Sequence, residues 1–200
     1  MEPNGFYYFQ NFLTSDEENK IMEFLNNNDE WFSVIPNTKS REVIHYGYEY
    51  PYQMAALSKS NSNANLKKIQ DIPEIFAKII KKVYDIPNLV TLLDKYDFDQ
   101  LIINKYDPGQ GISPHIDSTK FFDKIIVCIT IGSGINIEFQ KLNSNNKFET
   151  YVEPKSLYVM SGDARYKWTH SISKKNSDVH NNFIVPRKTR ISLTFRKVLK

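Results

Sequence analysis

The half of the chain that follows Asp99 consists of short apolar or alternating stretches separated by turn residues. Such stretches, bounded by Gly, Pro, Asn and Asp, indicate β-strands. We predict strands near residues 100–105, 112–117, 124–131, 135–140, 147–153, 156–160, 168–173 and 189–197. Consecutive short strands without helices between them predict a double-stranded β-helix, which is a relative of the jelly roll.

The first half of the chain has a mixed pattern. Residues 31–36 and 41–50 have the composition of paired strands. Ser15 and Glu18 have the spacing of a capping box, which predicts the start of a helix. Pro73 precedes a second apolar stripe of helical period and suits the first turn of a helix.

These patterns together predict one domain over residues 1–200. It is mostly β with flanking helices: an α/β lead-in at 1–98 and a jelly-roll core at 99–200. The polar stretch Ser58–Asn65 is expected to form an exposed loop. A second polar loop is expected at Lys174–Asn182.

The segment Asn104–Asp117, NKYDPGQGISPHID, contains candidate metal ligands. Side chains two positions apart share one face of a strand, so His115 and Asp117 would point to a common place. A jelly roll can return a later strand, with His170, beside them. Two histidines and a carboxylate form the facial triad of non-haem iron oxygenases. A His-x-Asp tripeptide alone is more often a structural pair.

The last predicted strand, RISLTFR, alternates between two kinds of side chain. Basic and hydroxyl side chains occupy one face and apolar side chains the other, namely Arg190, Ser192, Thr194 and Arg196 against Ile191, Leu193 and Phe195. This pattern suits a strand whose polar face lines the mouth of a barrel. Because a guanidinium group matches a carboxylate with two hydrogen bonds, the strand predicts a dicarboxylate site.

Tyrosine and phenylalanine are abundant, with 12 and 13 residues among 200. Four tyrosines alternate strictly, at Tyr46, Tyr48, Tyr50 and Tyr52. One strand face would then carry all four, with Arg41 and His45 nearby. Such a face can be part of the core, packed on a helix, or a platform on which an unstacked base lies.

The charge and the targeting signals constrain the class of protein only broadly. A formal net charge of +3 is compatible with a polyanionic partner. No apolar run is long enough to span a membrane, and the first residues, MEPNGFYYFQ, do not resemble a secretory signal. The single Cys128 lies in an apolar run and is expected to be buried. We therefore expect an intracellular protein, cytoplasmic or nuclear.

From about Arg41 to Lys197 the chain resembles the AlkB family of Fe(II)- and 2-oxoglutarate-dependent dioxygenases. The resemblance depends on four ordered blocks, RxVxHYGYEYxY, NxYxPGxGIxPHxD, SGDARYxWxH and RxSxTFR. It is greatest to the branch that acts on transfer-RNA bases. It implies that His115, Asp117 and His170 bind Fe(II), with 2-oxoglutarate as cosubstrate and O2 as oxidant.

The resemblance also implies the remaining site residues. The far carboxylate of 2-oxoglutarate would pair with Arg190, and the same pocket would include Asn104, Tyr106, Ser192 and Arg196. The substrate base would meet Arg41, Tyr46, Tyr48 and Tyr50. The resemblance places the family's nucleotide-recognition lid, which carries aromatic residues, within residues 1–98. Arg165 resembles a family arginine near the target base, which assigns it to both catalysis and substrate binding.

The implied reaction is oxidation of a modified base, which demethylates an N-methyl group or hydroxylates a carbon. Members that repair DNA have an acidic residue two positions after the metal-binding aspartate, where this chain has Thr119. That difference argues against repair of methylated adenine or cytosine and favours another base. The transfer-RNA branch, which hydroxylates a modified wobble uridine, also lacks that acid, so the resemblance favours RNA over DNA. Alternatives are the same chemistry on alkylated DNA, on a protein or on a small molecule.

Larger members of the transfer-RNA branch also carry an RNA-recognition domain and a methyltransferase domain, which these 200 residues lack. RNA affinity is then expected from the loops of this domain or from a partner protein.

Overall fold

A computed structural model describes residues 1–36, 38–52 and 66–200. The predicted loop at Ser58–Asn65 lies outside the described residues. The strands are β1 (Phe6–Phe9), β2 (Phe32–Ser33), β3 (Glu42–Tyr46), β4 (Gln100–Tyr106), β5 (Ile112–His115), β6 (Ile126–Gly132), β7 (Ile135–Lys141), β8 (Lys147–Val152), β9 (Leu157–Met160), β10 (Trp168–Ile172), β11 (Ser177–His180), β12 (Phe183–Pro186) and β13 (Arg190–Arg196). The helices are α1 (Ser15–Asn26), α2 (Glu74–Tyr84) and α3 (Gly162–Tyr166). None of the helices described is long and apolar enough to cross a membrane.

Two antiparallel sheets form the body of the molecule. The larger has the order β1-β9-β6-β13-β4-β3-β2, and the smaller has the order β5-β10-β7-β8. Strands distant in sequence lie side by side in both sheets, as in β4 beside β13 and β5 beside β10. This confirms the predicted mostly β fold with a jelly-roll core.

Two apolar clusters hold these layers together. The first packs α1 and α2 on one face of the larger sheet, through residues such as Leu25 and Phe76 against Leu193. The second contains residues of both sheets, including Tyr158 from the larger and Phe139 from the smaller. The site described below is therefore built on two layers that are packed on each other, which limits how far its residues can shift.

The alternation predicted for β13 is present. Ile191, Leu193 and Phe195 belong to the cluster under the helices. The intervening polar side chains face the second layer. Within the larger sheet, Arg190 lies opposite Tyr106 of β4, and Ser192 lies opposite Asn104. The register of β13 and β4 thus places four predicted cosubstrate residues as cross-strand neighbours.

Two predictions near the start of the chain need correction. The helix cap is one residue earlier than predicted, because Thr14 Oγ1 accepts a hydrogen bond from Glu17 N at 3.2 Å and Glu17 Oε2 accepts one from Thr14 N at 2.8 Å. The strand predicted at 41–50 ends at Tyr46, since Gly47 has φ of +76° and lies against the Asp99 carbonyl. A side chain at Gly47 would collide with that carbonyl, so the chain turns there.

Two further corrections concern the core. The strand predicted at 112–117 ends at His115. The polar loop predicted at Lys174–Asn182 contains β11, which pairs with β12 as a separate hairpin. Asn181 and Asn182 between these strands have φ of 50° and 65°, a conformation that asparagine tolerates in hairpin turns. Polar composition indicated a loop, whereas the asparagine pair was the hairpin signal.

Candidate iron and 2-oxoglutarate site

The two histidines of the predicted triad are cross-strand partners. His115 ends β5 and lies directly opposite His170 of β10, with ring centroids 4.3 Å apart. Asp117 follows two residues after the end of β5, so alternation along a strand does not explain its position. One ligand atom from each of the three residues lies within 4.8 Å of the others. The structure therefore brings together the three residues that the sequence singled out.

The hydrogen bonds around the triad leave room for a cation. Asp117 Oδ1 accepts from Arg196 Nη2 at 3.1 Å, whereas its buried Oδ2 has no partner among the described residues. His115 Nδ1 lies 2.8 Å from the Ser113 carbonyl. Because a carbonyl only accepts, this contact places the proton on Nδ1 and leaves Nε2 with a free lone pair. An unpartnered carboxylate oxygen beside imidazole nitrogens fits a divalent transition-metal ion.

The protonation states also suit metal binding. Burial would raise the pKa of Asp117, but Arg196 and the two imidazoles hold that pKa well below its usual range. Burial and the neighbouring His115 lower the pKa of His170 to about 3. At neutral pH the cluster thus offers a carboxylate and a neutral imidazole, which are the forms that bind metal ions.

The triad opens into a cavity of about 560 Å³ that reaches both sheets. This volume is typical of small-molecule sites. Its basic side has Arg190, whose Nη2 donates to Thr130 Oγ1 at 3.0 Å, while its buried Nε has no partner in the described part of the chain. The Arg190 guanidinium lies 5.6 Å from the Tyr106 ring centroid. A buried guanidinium with an unused donor can bind a carboxylate.

Aromatic residues form another wall of the cavity. Tyr50 stacks on Phe122, with centroids 5.7 Å apart, and its backbone N donates to His45 Nδ1 at 3.3 Å. The Arg41 guanidinium lies 5.6 Å from the Tyr52 ring centroid, and Arg41 Nε donates to Asn104 Oδ1 at 3.1 Å. The backbone from Gly47 to Tyr52 therefore carries aromatic side chains toward the predicted cosubstrate residues.

The other predicted substrate residues lie elsewhere. Tyr46 is buried in the cluster beneath the helices, where its hydroxyl accepts from Asn28 Nδ2 at 2.9 Å. Tyr48 packs against the inter-sheet cluster but is not among the residues lining the cavity. The four tyrosines therefore do not share a face, because the turn at Gly47 interrupts their alternation.

Arg165 does not line the cavity either. Its side chain is buried, and Nη1 donates to the Asp117 carbonyl at 2.7 Å. The other donors meet the carbonyls of Ser118, Phe122 and Asp123 at 3.1 to 3.3 Å. Arg165 thus holds the loop that carries Asp117, and its contact with a base stays a prediction.

The sequence does not predict a role for Phe122, which lines the cavity, or for Thr130 and Gln100, which contact the cavity-lining arginines. Phe122 lies under Arg196, with the guanidinium 4.8 Å from its ring centroid, and Thr130 orients Arg190. Gln100 is fully buried and accepts from Arg196 Nη1 at 3.2 Å. The register of β13 with its two neighbours would have indicated Thr130 and Gln100, since they lie on the strands paired with it. No local pattern distinguished Phe122.

Known proteins resemble this chain along almost its whole length. The model of the 2OG-Fe(II) oxygenase superfamily matches residues 5–196. Protein L905 of Acanthamoeba polyphaga mimivirus is 32% identical over 98% of this chain and 86% of its own length. A Xenopus tropicalis relative, tRNA (carboxymethyluridine(34)-5-O)-methyltransferase alkbh8, is 31% identical over 98% of this chain. The match spans 32% of that longer protein.

The fold comparison agrees with these sequence matches. The structure of OsALKBH1 superposes with a TM-score of 0.70 at 17% identity, covering 98% of both chains. The chain therefore belongs to the 2OG-Fe(II) oxygenase superfamily and to its AlkB family, near the transfer-RNA-modifying branch, and is a dioxygenase that uses Fe(II), 2-oxoglutarate and O2.

Proposed function

We propose that this dioxygenase oxidises a modified base in nucleic acid, with RNA favoured over DNA. The proposal depends on one observation. The His115–Asp117–His170 cluster, Arg190, Tyr50 and Tyr52 all line the same cavity. A base that reacts must leave its stack, and aromatic or guanidinium faces are the surfaces on which an unstacked base lies.

The triad would hold the metal, and the basic side of the cavity would hold the cosubstrate. Together Fe(II), 2-oxoglutarate and O2 supply the oxidant that attacks a C–H bond. Arg190 would pair with the far carboxylate, beside Asn104, Tyr106 and Ser192. Arg196 would hold Asp117 in place from within the same pocket, at the contact of 3.1 Å.

The wall formed by Arg41, Tyr50 and Tyr52 would receive the base. Residues 1–98 then supply the substrate wall, and residues 99–200 supply the metal and cosubstrate residues. Thr119 in place of an acid is consistent with a base other than methylated adenine or cytosine. The naming of the Xenopus relative for a carboxymethyluridine of transfer RNA supports RNA. With an RNA substrate, we expect a cytoplasmic or nuclear protein. A partner protein can add affinity for the RNA.

The test is oxidation of bases in total transfer RNA. The protein is incubated aerobically with Fe(II), with and without 2-oxoglutarate, and the nucleosides are separated and weighed by mass spectrometry. A mass change that needs both 2-oxoglutarate and an intact His115 supports the proposal. The control variant is His115→Ala. Parallel reactions with alkylated DNA oligonucleotides distinguish the two nucleic acids. Succinate release without any change in either nucleic acid would direct the search to protein or small-molecule substrates.

A further inference from the structure

A β-hairpin, β11 with β12, forms a two-stranded sheet of its own beside the two sheets of the core. Its pairing places Val179 opposite Ile184 and His180 opposite Phe183. The hairpin connects β10, which carries His170, to β13, which begins with Arg190. It is therefore anchored at both ends to strands that contribute to the cavity.

The hairpin exposes apolar side chains that the core does not use. Val179 is 61% exposed, Phe183 74% and Ile184 75%. By the alternation of the strands, Val179 and Ile184 lie on one face of the hairpin and Phe183 lies on the other, with His180. Burial of one such side chain is worth roughly 1.5–3 kcal/mol, so each one left in water forgoes a substantial stabilisation. A concentration of exposed apolar side chains on one element is a feature of interaction surfaces.

The hairpin is rigidly attached. Arg187 Nε and Nη2 donate to Asp178 Oδ2 and Oδ1 at 2.6 and 2.7 Å, and both side chains are almost fully buried. Arg187 Nη1 also donates to the Ser173 carbonyl at 2.7 Å. A buried pair with two parallel bonds fixes geometry. The exposed side chains are thus held outward instead of being free to fold onto the body.

The ends of the hairpin are positively charged. Lys174 and Lys175 precede β11 and Lys188 follows β12, and all three are exposed. The neighbouring Asp178 and Arg187 neutralise each other. Carboxylates also border the hairpin: Glu138 Oε1 lies 3.9 Å from Lys175 Nζ, Glu153 Oε1 lies 3.4 Å from His180 Nε2, and Asp107 Oδ1 accepts from Thr189 Oγ1 at 3.0 Å. Among the described residues, none of these carboxylates forms a salt bridge with Lys174 or Lys188. Lysines at the base of a hairpin that exposes a phenyl ring next to its turn match the phosphates and base faces of a nucleic-acid strand that runs along the hairpin.

The base of the hairpin borders the cavity. Gly109 N donates to the Lys175 carbonyl at 3.0 Å, and Gly111 lies directly against the Ile172 carbonyl. Ile172 itself lines the cavity. A nucleic-acid strand that places its reacting nucleobase in the cavity would therefore have neighbouring nucleotides close to the hairpin.

We infer that the β11–β12 hairpin is a second nucleic-acid contact, in which Phe183 stacks on a base outside the cavity while Lys174, Lys175 and Lys188 meet phosphates. The inference rests on the proposed function, because it takes the substrate to be nucleic acid. It adds a surface that selects and holds the strand around the reacting base.

The test measures binding of a labelled single-stranded RNA by fluorescence anisotropy at several salt concentrations. Phe183→Ser is expected to weaken binding about tenfold, since stacking on an aromatic side chain contributes about 1–3 kcal/mol per base. Phe183→Trp is expected to retain the affinity. Lys188→Gln is expected to lower the slope of the logarithm of affinity against the logarithm of salt concentration by about one, the change that follows loss of one phosphate contact.

Leu142→Ser is the matched control, since Leu142 is also exposed, at 45%, but lies at the end of β7. Release of succinate without substrate should be equal in all four variants, because none touches the cavity. Affinity of Phe183→Ser within about twofold of the wild type would overturn the inference, given the stacking contribution expected. So would a wild type that binds no RNA, or a dimer in size-exclusion chromatography that Phe183→Ser converts to a monomer. Base oxidation by the wild type, scored separately, reports on the proposed function.

Discussion

The two sides of the cavity are built in different ways. On the metal side, His115, His170 and Arg190 lie on strands, and the pairing of those strands sets their positions. On the aromatic side, Tyr50 and Tyr52 follow the turn at Gly47, where the strand has already ended. Sheet register thus sets the positions of the metal and cosubstrate residues, whereas a segment outside regular structure forms the wall proposed to meet the substrate. Such a division lets substrate preference change without disturbing the reaction.

Removing a ligand on the metal side should give the largest effect, and the two ligand types should differ. His115→Ala and Asp117→Ala should both reduce release of succinate from 2-oxoglutarate to background. Only Asp117→Ala should also lower the free energy of unfolding, by about 3–5 kcal/mol, because it leaves Arg196 buried and unpaired. Succinate assays and urea titrations test this. Equal stability of the two variants would contradict the role given to the Arg196 contact.

Arg190 tests the cosubstrate part of the same side. Arg190→Gln should raise the KM for 2-oxoglutarate roughly 10- to 100-fold, since a hydrogen bond to a charged group contributes about 1.5–3 kcal/mol. Steady-state release of succinate measures this. Lys188→Gln removes a nearby but exposed positive charge and should leave the KM unchanged. A normal KM in Arg190→Gln would move the carboxylate site elsewhere.

Replacing Arg165 distinguishes two roles for this residue, holding the loop that carries Asp117 or contacting the substrate base. Arg165→Lys keeps the charge but cannot reach the carbonyls of Asp117 and its loop, so Mn(II) affinity should fall about tenfold. Isothermal titration with Mn(II) measures this. Arg187→Lys alters another buried arginine, whose hydrogen bonds go to Asp178 and the Ser173 carbonyl instead of the loop that carries Asp117, and should leave Mn(II) affinity unchanged. Unchanged Mn(II) affinity in Arg165→Lys, with a raised KM for nucleic acid, would restore the base contact expected from the sequence.

The aromatic side should respond separately from the metal side. Tyr50→Ala should reduce base oxidation about tenfold while changing substrate-free release of succinate little, because it removes a stacking surface worth about 1–3 kcal/mol. Tyr46→Phe is the matched comparison, since it removes only the Asn28 contact in the core. It should cost about 1 kcal/mol of stability and no activity. Equal losses in both assays for Tyr50→Ala would assign Tyr50 to the fold.

A smaller effect concerns the histidine behind the aromatic wall. Burial, with the positive charge of Arg196, lowers the pKa of His45 to about 4. As the pH falls, His45 is therefore protonated in the unfolded chain before it is protonated in the folded protein. Its contribution to the free energy of unfolding is fully present above pH 6.5 and is lost as the pH falls toward 4. Between pH 7 and pH 5, the free energy of unfolding of His45→Gln should therefore decrease by about 1–2 kcal/mol less than that of the wild type. Urea titrations at both pH values measure it, and an unchanged slope would contradict the assignment.

The same contrast explains how far the sequence could be interpreted. Alternation in RISLTFR predicted which residues of β13 face the cavity, because side-chain period and sheet register are coupled. Alternation also suggested a four-tyrosine face, but a single left-handed glycine rotated Tyr46 into the core. The anchoring of Arg165 depends on backbone carbonyls, which no residue pattern encodes. Alternation thus predicted side-chain directions where the backbone was regular, and failed where it turned. Asp117 lies beyond the end of β5, and its place in the triad was implied by the family resemblance instead.

The contact between Arg196 and Asp117 has a consequence for the order in which ligands enter. With Arg190 nearby, the side chains of the pocket carry more positive than negative charge, so a divalent ion that binds alone would meet repulsion from the guanidinium groups of Arg190 and Arg196. A dianionic cosubstrate offsets that excess. Iron and 2-oxoglutarate should then each tighten the binding of the other, so that the oxidising centre assembles as a unit.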